Sequence, residues 1–128
     1  MGDISEHLKR EEIQCRCGCK SIVRINTMID LFEAIREEYG HPIMVNSWYR
    51  CIRHNKHVGG TFGSLHMTGR AMDIRPHAND LKELYKACEK FAPPGLGTYP
   101  EKGFIHVDIG NRYQRWVMRN GKHVFLFG

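Results

Sequence analysis

Two short segments hold the residues best suited to chemistry. Ser64-Leu65-His66-Met67-Thr68-Gly69-Arg70-Ala71-Met72-Asp73 offers an imidazole and a carboxylate, and Phe104-Ile105-His106-Val107-Asp108 offers a second imidazole. Two histidines with one carboxylate form a common ligand set for catalytic zinc, because three protein donors leave the fourth tetrahedral position open to water or substrate. A structural zinc site would more often be closed by thiolates. His66, Asp73 and His106 are therefore the expected ligands of one Zn2+, and hydrolysis is the chemistry such a site performs.

His66 and Asp73 lack the spacing that puts both histidines of an HExxH motif on one helical face. Gly69 between them permits a sharp turn, and Ala71 leaves room beneath an ion. His66 is expected in a loop and Asp73 on the strand that follows. The remaining histidines, His7, His41, His54, His57, His77 and His123, are read as ordinary surface or core residues.

Around these segments the hydrophobic pattern supplies elements to position them. Residues 25–39 set Ile25, Met28, Ile29, Phe32, Ile35 and Tyr39 at helical spacing, and Gly40 with Pro42 ends the helix. Residues 43–48 read as a strand. Residues 48–70 are rich in Gly, His, Arg and Asn and lack periodicity, which predicts a long functional loop. Residues 71–75 form a short strand stopped by Pro76. Asn79 and Asp80 supply caps for a second helix whose apolar stripe is Leu81, Leu84, Tyr85, Cys88 and Phe91, ended by Pro93-Pro94-Gly95. Residues 104–109 alternate, with Phe104, His106 and Asp108 on one face. Residues 115–119 and 122–127 flank Asn120-Gly121, the signature of a type I′ hairpin. The expected class is α+β, an antiparallel sheet with helices packed on one face, in a single domain covering residues 1–128.

At 128 residues, 41% hydrophobic and 26% charged, the composition is that of a globular chain and excludes a disordered one. No apolar run is long enough to span a bilayer, so membrane insertion is not expected. The first residues lack the basic-then-apolar pattern of a Sec-type signal. A net charge of +5 favours a polyanionic partner in general. The basic residues are scattered, however, and nucleic acid is not the expected partner. A monomer is expected.

The five cysteines are an odd count without a secretory signal, which argues against a complete disulfide framework. Cys15-Arg16-Cys17-Gly18-Cys19 could bind a metal with Cys51 as an outside ligand. Its spacing nevertheless departs from the two intervening residues of a zinc knuckle. Free thiols in a tight turn are the expectation, with Cys88 on the buried face of a helix.

Taken together, Ser47-Trp48-Tyr49-Arg50, Asn55, Val58-Gly59-Gly60, Ser64-x-His66-x-x-Gly69-x-Ala71-x-Asp73 and Gly103-Phe104-Ile105-His106-Val107-Asp108 closely resemble the D-Ala-D-Ala carboxypeptidase family of zinc metallopeptidases. The likeness is greatest to its small bacterial and prophage branch, which includes phage endolysins, and it covers about residues 47–116. The resemblance implies the Hedgehog/DD-peptidase fold, with His66, Asp73 and His106 as zinc ligands. It implies peptidoglycan peptides containing D-amino acids as substrate, cut as by a carboxypeptidase or an endolysin-type endopeptidase. It gives Arg50 a substrate-anchoring or oxyanion-stabilising role, which suits a guanidinium that stays charged and can hold a carboxylate in two parallel hydrogen bonds. Ser64 matches the family serine and could bond substrate or cap the loop.

The sequence departs from the family at the general base. Many relatives place Glu or Asp three residues before the second zinc histidine, or a His two residues before it; here those positions are Gly103 and Phe104. The remaining carboxylates are Glu101, in the preceding loop, and Asp108, about 6.8 Å further along the same strand face as His106. Either could be the base, and Asp108 could instead orient a ligand or Arg50. The missing carboxylate also supports a rival reading, a zinc-containing Hedgehog-like binding module without catalysis. With no signal peptide, synthesis in the bacterial cytoplasm is expected, with action on the cell wall after phage-type release.

Overall fold

Strand alternation around His106 and Asp73 puts their side chains on one face of a sheet and leaves the other face apolar. In the computed structural model, which describes residues 2–61 and 63–127, six strands form that sheet. They are β1 (Ile43–Ser47), β2 (Ala71–Pro76), β3 (Gly95–Tyr99), β4 (Phe104–Asp108), β5 (Gln114–Arg119) and β6 (Lys122–Phe127), in the order β1-β2-β4-β3-β5-β6. All neighbours are antiparallel except β3 and β5, which run parallel. The sheet is therefore mixed, which corrects the antiparallel expectation. Residues 109–113 carry the chain past the end of β3 to its far side instead of back beside β4, so β5 runs in the direction of β3. Periodicity predicts that a strand exists, but its partner is chosen by tertiary packing.

Four helices accompany the sheet: α1 (Arg10–Ile13), α2 (Asn26–Tyr39), α3 (Ile52–His57) and α4 (Leu81–Glu89). Met28, Phe32 and Ile35 of α2 and Leu84 and Cys88 of α4 pack with Met72, Ile74, Leu96, Ile105 and Val107 of the sheet in one core. Burying a side chain of this size stabilises the fold by about 1.5–3 kcal/mol. Gly40 ends α2 with a φ of 79°, a left-handed conformation that costs glycine little. Asp80 occupies the N-cap of α4 but makes no side-chain cap bond; it accepts from the Tyr39 hydroxyl and ties the two helices together. Because α4 stops at Glu89, Phe91 lies beyond it and is exposed rather than part of the buried stripe. The stretch expected to be a long loop contains α3 and a 3-10 turn, Leu65–Thr68. Among the described residues, no helix is long and apolar enough to cross a membrane.

Strand β3 forms where the sequence predicts none. Gly95 and Gly97 lower its strand propensity and hide it. Their purpose is steric. A Cβ on Gly97 would overlap the Trp116 indole, and one on Gly95 would overlap the Asp108 carboxylate. The two glycines make β3 a low floor across which side chains of β4 and β5 can lie.

Candidate active site

Register builds the site as rows across the sheet. Ser47, Asp73, His106, Gly97 and Trp116 are successive partners across β1, β2, β4, β3 and β5. Ala71, Asp108, Gly95 and Gln114 form the next row. His66 arrives from outside the sheet, on the 3-10 turn. That turn starts at Ser64, whose Oγ accepts from the His66 amide at 3.3 Å, and ends at Gly69 with a φ of 70°. The Arg50 amide donates to the His66 carbonyl at 3.0 Å, fixing the turn against the segment after β1.

The ring nitrogens are assigned by their partners. His66 Nδ1–H donates to the Trp48 carbonyl at 2.7 Å, which leaves Nε2 facing Asp73 Oδ1 at 3.3 Å. His106 Nε2–H donates to Asp108 Oδ2 at 2.8 Å, which leaves Nδ1 beside Asp73 Oδ1 at 3.0 Å. One nitrogen from each histidine and the Asp73 carboxylate thus converge, all within 4.8 Å of one another. Two borderline imidazoles and a hard carboxylate suit zinc, and each histidine has its outer nitrogen bonded to an oxygen acceptor, as metal-ligating histidines do. The residues fit the ion expected of them.

Electrostatics agree with that geometry. Burial alone would raise the Asp73 pKa, but hydrogen bonds from His106 and His66 outweigh it and hold the carboxyl well below the usual range. Burial alone would lower the His106 pKa, but the bonds to Asp108 and Asp73 push it up to about 9. The two carboxylates thus favour the protonated His106 ring when no cation is present. A metal held at Nδ1 would take the place of that proton.

Arg50 lies on the wall of the same cleft, 3.3 Å from Asp73 Oδ2 through Nη2. Its other nitrogens are held by Ser47 Oγ at 3.1 Å and Asn55 Oδ1 at 3.2 Å. Asn55 is buried and bonds the Thr61 carbonyl, so the guanidinium is fixed by a braced side chain. Ser64 also lines the cleft, with its hydroxyl oxygen already engaged as the cap.

The two proposed bases part company. Asp108 is in the cleft, but both its oxygens are used, Oδ2 by His106 and Oδ1 by the Gly110 amide at 3.0 Å. Burial would raise its pKa; the His106 bond and charge and the Gly110 amide outweigh this and lower it. It is placed to orient His106. Glu101 is outside the cleft, in a separate depression with Lys102 and Met118, where Oε1 accepts from the Asn120 amide at 2.8 Å. Of the two candidate bases it is the one that does not line the cleft, and its carboxylate braces the β5–β6 turn.

Residues that sequence reasoning passed over complete the cleft, which holds about 440 Å³. Trp116 lies 5.3 Å from the His106 ring, and Tyr99 stacks on Phe104 at 4.3 Å. His123, read above as an ordinary surface residue, lines the cleft from β6, with its ring 6.1 Å from Trp116 and 6.4 Å from Tyr99. The alternating glycines of Gly95-Leu96-Gly97 were the available signal that large side chains cross this strand. No local pattern could have brought His123 to the site, because that depends on β5 lying beside β3.

Residues 6–108 match the sequence model of the Peptidase M15 family, and the chain belongs to that family, the type expected from its SxHxxGxAxD segment. It is similar to the peptidoglycan L,D-endopeptidase MepK of Escherichia coli K12, with 32% identity over 74 residues, which is 54% of this chain and 41% of that protein. It is also similar to the probable peptidoglycan L,D-endopeptidase MepK of Haemophilus influenzae, with 34% identity over 59 residues, 46% of this chain and 32% of that one. The matched region therefore spans less than half the length of either relative.

Proposed function

We propose that the chain is a zinc-dependent peptidase that cleaves peptidoglycan stem or cross-bridge peptides at a bond flanked by a D-residue, acting as an endopeptidase. The observation that carries this reading is the convergence of His66 Nε2, Asp73 and His106 Nδ1 beside a braced Arg50 in one cleft. The name L,D-endopeptidase borne by the two MepK relatives favours an internal bond over a terminal one.

Zinc held by His66, Asp73 and His106 would supply a polarised carbonyl and a water acidified to a pKa near 7. The rest is the work of the chain. Arg50 donates to a substrate carboxylate or to the oxygen that gains negative charge during attack, and its bonds to Ser47, Asn55 and Asp73 fix its direction beforehand. Asp108 holds His106 in the tautomer that presents Nδ1. Trp116, Tyr99 and Phe104 give the peptide an apolar wall. His123 lines the same cleft outside the metal-ligand network, and we assign to its imidazole the transfer of the proton released on attack to the leaving amine.

The test is mass spectrometry of muropeptides digested by purified protein, with chelator and Arg50→Ala as controls. Internal cuts next to a D-residue, abolished by chelator and impaired in a zinc-replete Arg50→Ala variant, are expected. Release of terminal D-Ala would make the enzyme a carboxypeptidase. Intact muropeptides from a zinc-replete protein would sink catalysis and favour a binding module.

A further inference from the structure

We propose that Cys15, Cys17, Cys19 and Cys51 form a second metal site, a closed four-thiolate centre that holds one structural zinc ion. The sulfur geometry carries the proposal. Cys15 and Cys17 are 3.5 Å apart through their sulfurs, Cys17 and Cys51 3.6 Å, and Cys15 and Cys51 3.7 Å. The Cys19 sulfur completes the group, with all four donors within 4.8 Å of one another. A tetrahedron with zinc–sulfur bonds of about 2.3 Å has edges of about 3.8 Å. A disulfide would need about 2.0 Å between one pair, and none is formed.

The chain is bent to achieve this. Three donors within five residues require a tight coil, and Gly18 at φ 93° and Lys20 at φ 61° both take left-handed conformations to close it. The Cys15 amide donates to the Ser21 carbonyl at 2.9 Å across the base of the coil. The fourth sulfur comes from a distant segment, at the N-cap of α3. Backbone N–H groups point at the sulfurs: Cys51 N–H at Cys15 Sγ and His54 N–H at Cys51 Sγ, both 3.4 Å. Such bonds work against the burial that pushes the Cys15 thiol up, and Arg53 beside Cys17 offsets part of the negative charge.

The centre is separate from the His66–Asp73–His106 site: none of its cysteines lines that cleft, and four protein donors leave no open position. Its role is attachment. The Tyr49 amide bonds the Ile13 carbonyl at 3.2 Å, and the Arg16 guanidinium bonds the Val45 carbonyl at 3.0 Å. Together with a metal these contacts would clamp the segment after α1 onto the strand-to-helix junction that carries Arg50. The x-spacing of the motif, which differs from a zinc knuckle, is accommodated because the fourth ligand comes from tertiary structure.

The experiment uses the full chain carrying His66→Ala and His106→Ala, so that the histidine site cannot contribute. Reduced and given excess zinc, this variant is expected to hold about one zinc per chain, and wild type about two. Loaded with cobalt, it should show sulfur-to-cobalt charge transfer in the near ultraviolet, absent after a further Cys17→Ser change. Because Cys17→Ser could fail to fold, alkylation followed by mass spectrometry gives a second readout on the folded histidine variant. Zinc should slow modification of Cys15, Cys17, Cys19 and Cys51 by about tenfold or more relative to chelator-treated protein. A folded histidine variant that holds no zinc, a cobalt spectrum without thiolate bands, or equal alkylation with and without zinc overturns the proposal. Loss of zinc from the histidine site alone bears only on the peptidase reading.

Discussion

His106 Nε2–H donates to Asp108 Oδ2 at 2.8 Å, and this bond turns the ring so that Nδ1 meets Asp73. Asp108 thus acts through His106. Asp108→Ala is expected to weaken metal binding at the histidine site by about 10–100-fold. A general base would leave metal affinity untouched while turnover fell. Zinc titration of the variant, read beside its kinetics at saturating metal, separates the two: wild-type affinity with a collapsed rate would restore Asp108 as the base.

His123→Gln should lower turnover by about 10²–10⁴ and leave metal content unchanged, since a general base contributes on that order. Glu101→Gln should stay near wild-type turnover, because its carboxylate serves the Asn120 amide outside the cleft. A reversed pattern, with Glu101→Gln inactive and His123→Gln active, would reject the assignment of the base.

Gly97→Ala places a Cβ where the Trp116 indole lies. Overpacking of this kind costs about 1–3 kcal/mol, and here it also displaces the ring from beside His106. The variant should melt at lower temperature and show altered tryptophan fluorescence, with impaired cleavage. Wild-type stability and fluorescence would mean that the ring does not rest on β3.

The metal-free protein should lose stability as pH rises from about 6.5 to about 9. The His106 pKa is raised from 6.5 to about 9 on folding, so its contribution is complete below the lower value and disappears through the upper one. Chemical denaturation of metal-free wild type across this range, compared with His106→Gln, measures it. The wild-type slope should exceed that of the variant; equal slopes would show that His106 is not the titrating group.

By itself the sequence singled out the three residues proposed to hold the metal, which the fold brings within 4.8 Å of one another, and most of the elements that support them. His66, Asp73 and His106 are legible because their types, the glycine between the first two and the alternation around the third are local properties. Helix α2 and the β5–β6 hairpin are legible for the same reason, periodicity in one and Asn120-Gly121 in the other. Tertiary structure decided the pairing of β3 with β5, and three consequences follow from that pairing. It places Trp116 over Gly97, brings His123 from β6 to the cleft, and sets the terminal turn within reach of Glu101 in the neighbouring depression. Tertiary structure also brought Cys51 to the coil at Cys15, Cys17 and Cys19, a cluster whose spacing departs from a zinc knuckle and for which free thiols were the expectation. Local patterns report the conformation a segment prefers; the partner across a sheet or around an ion comes from distant residues, and burial of the shared core decides it.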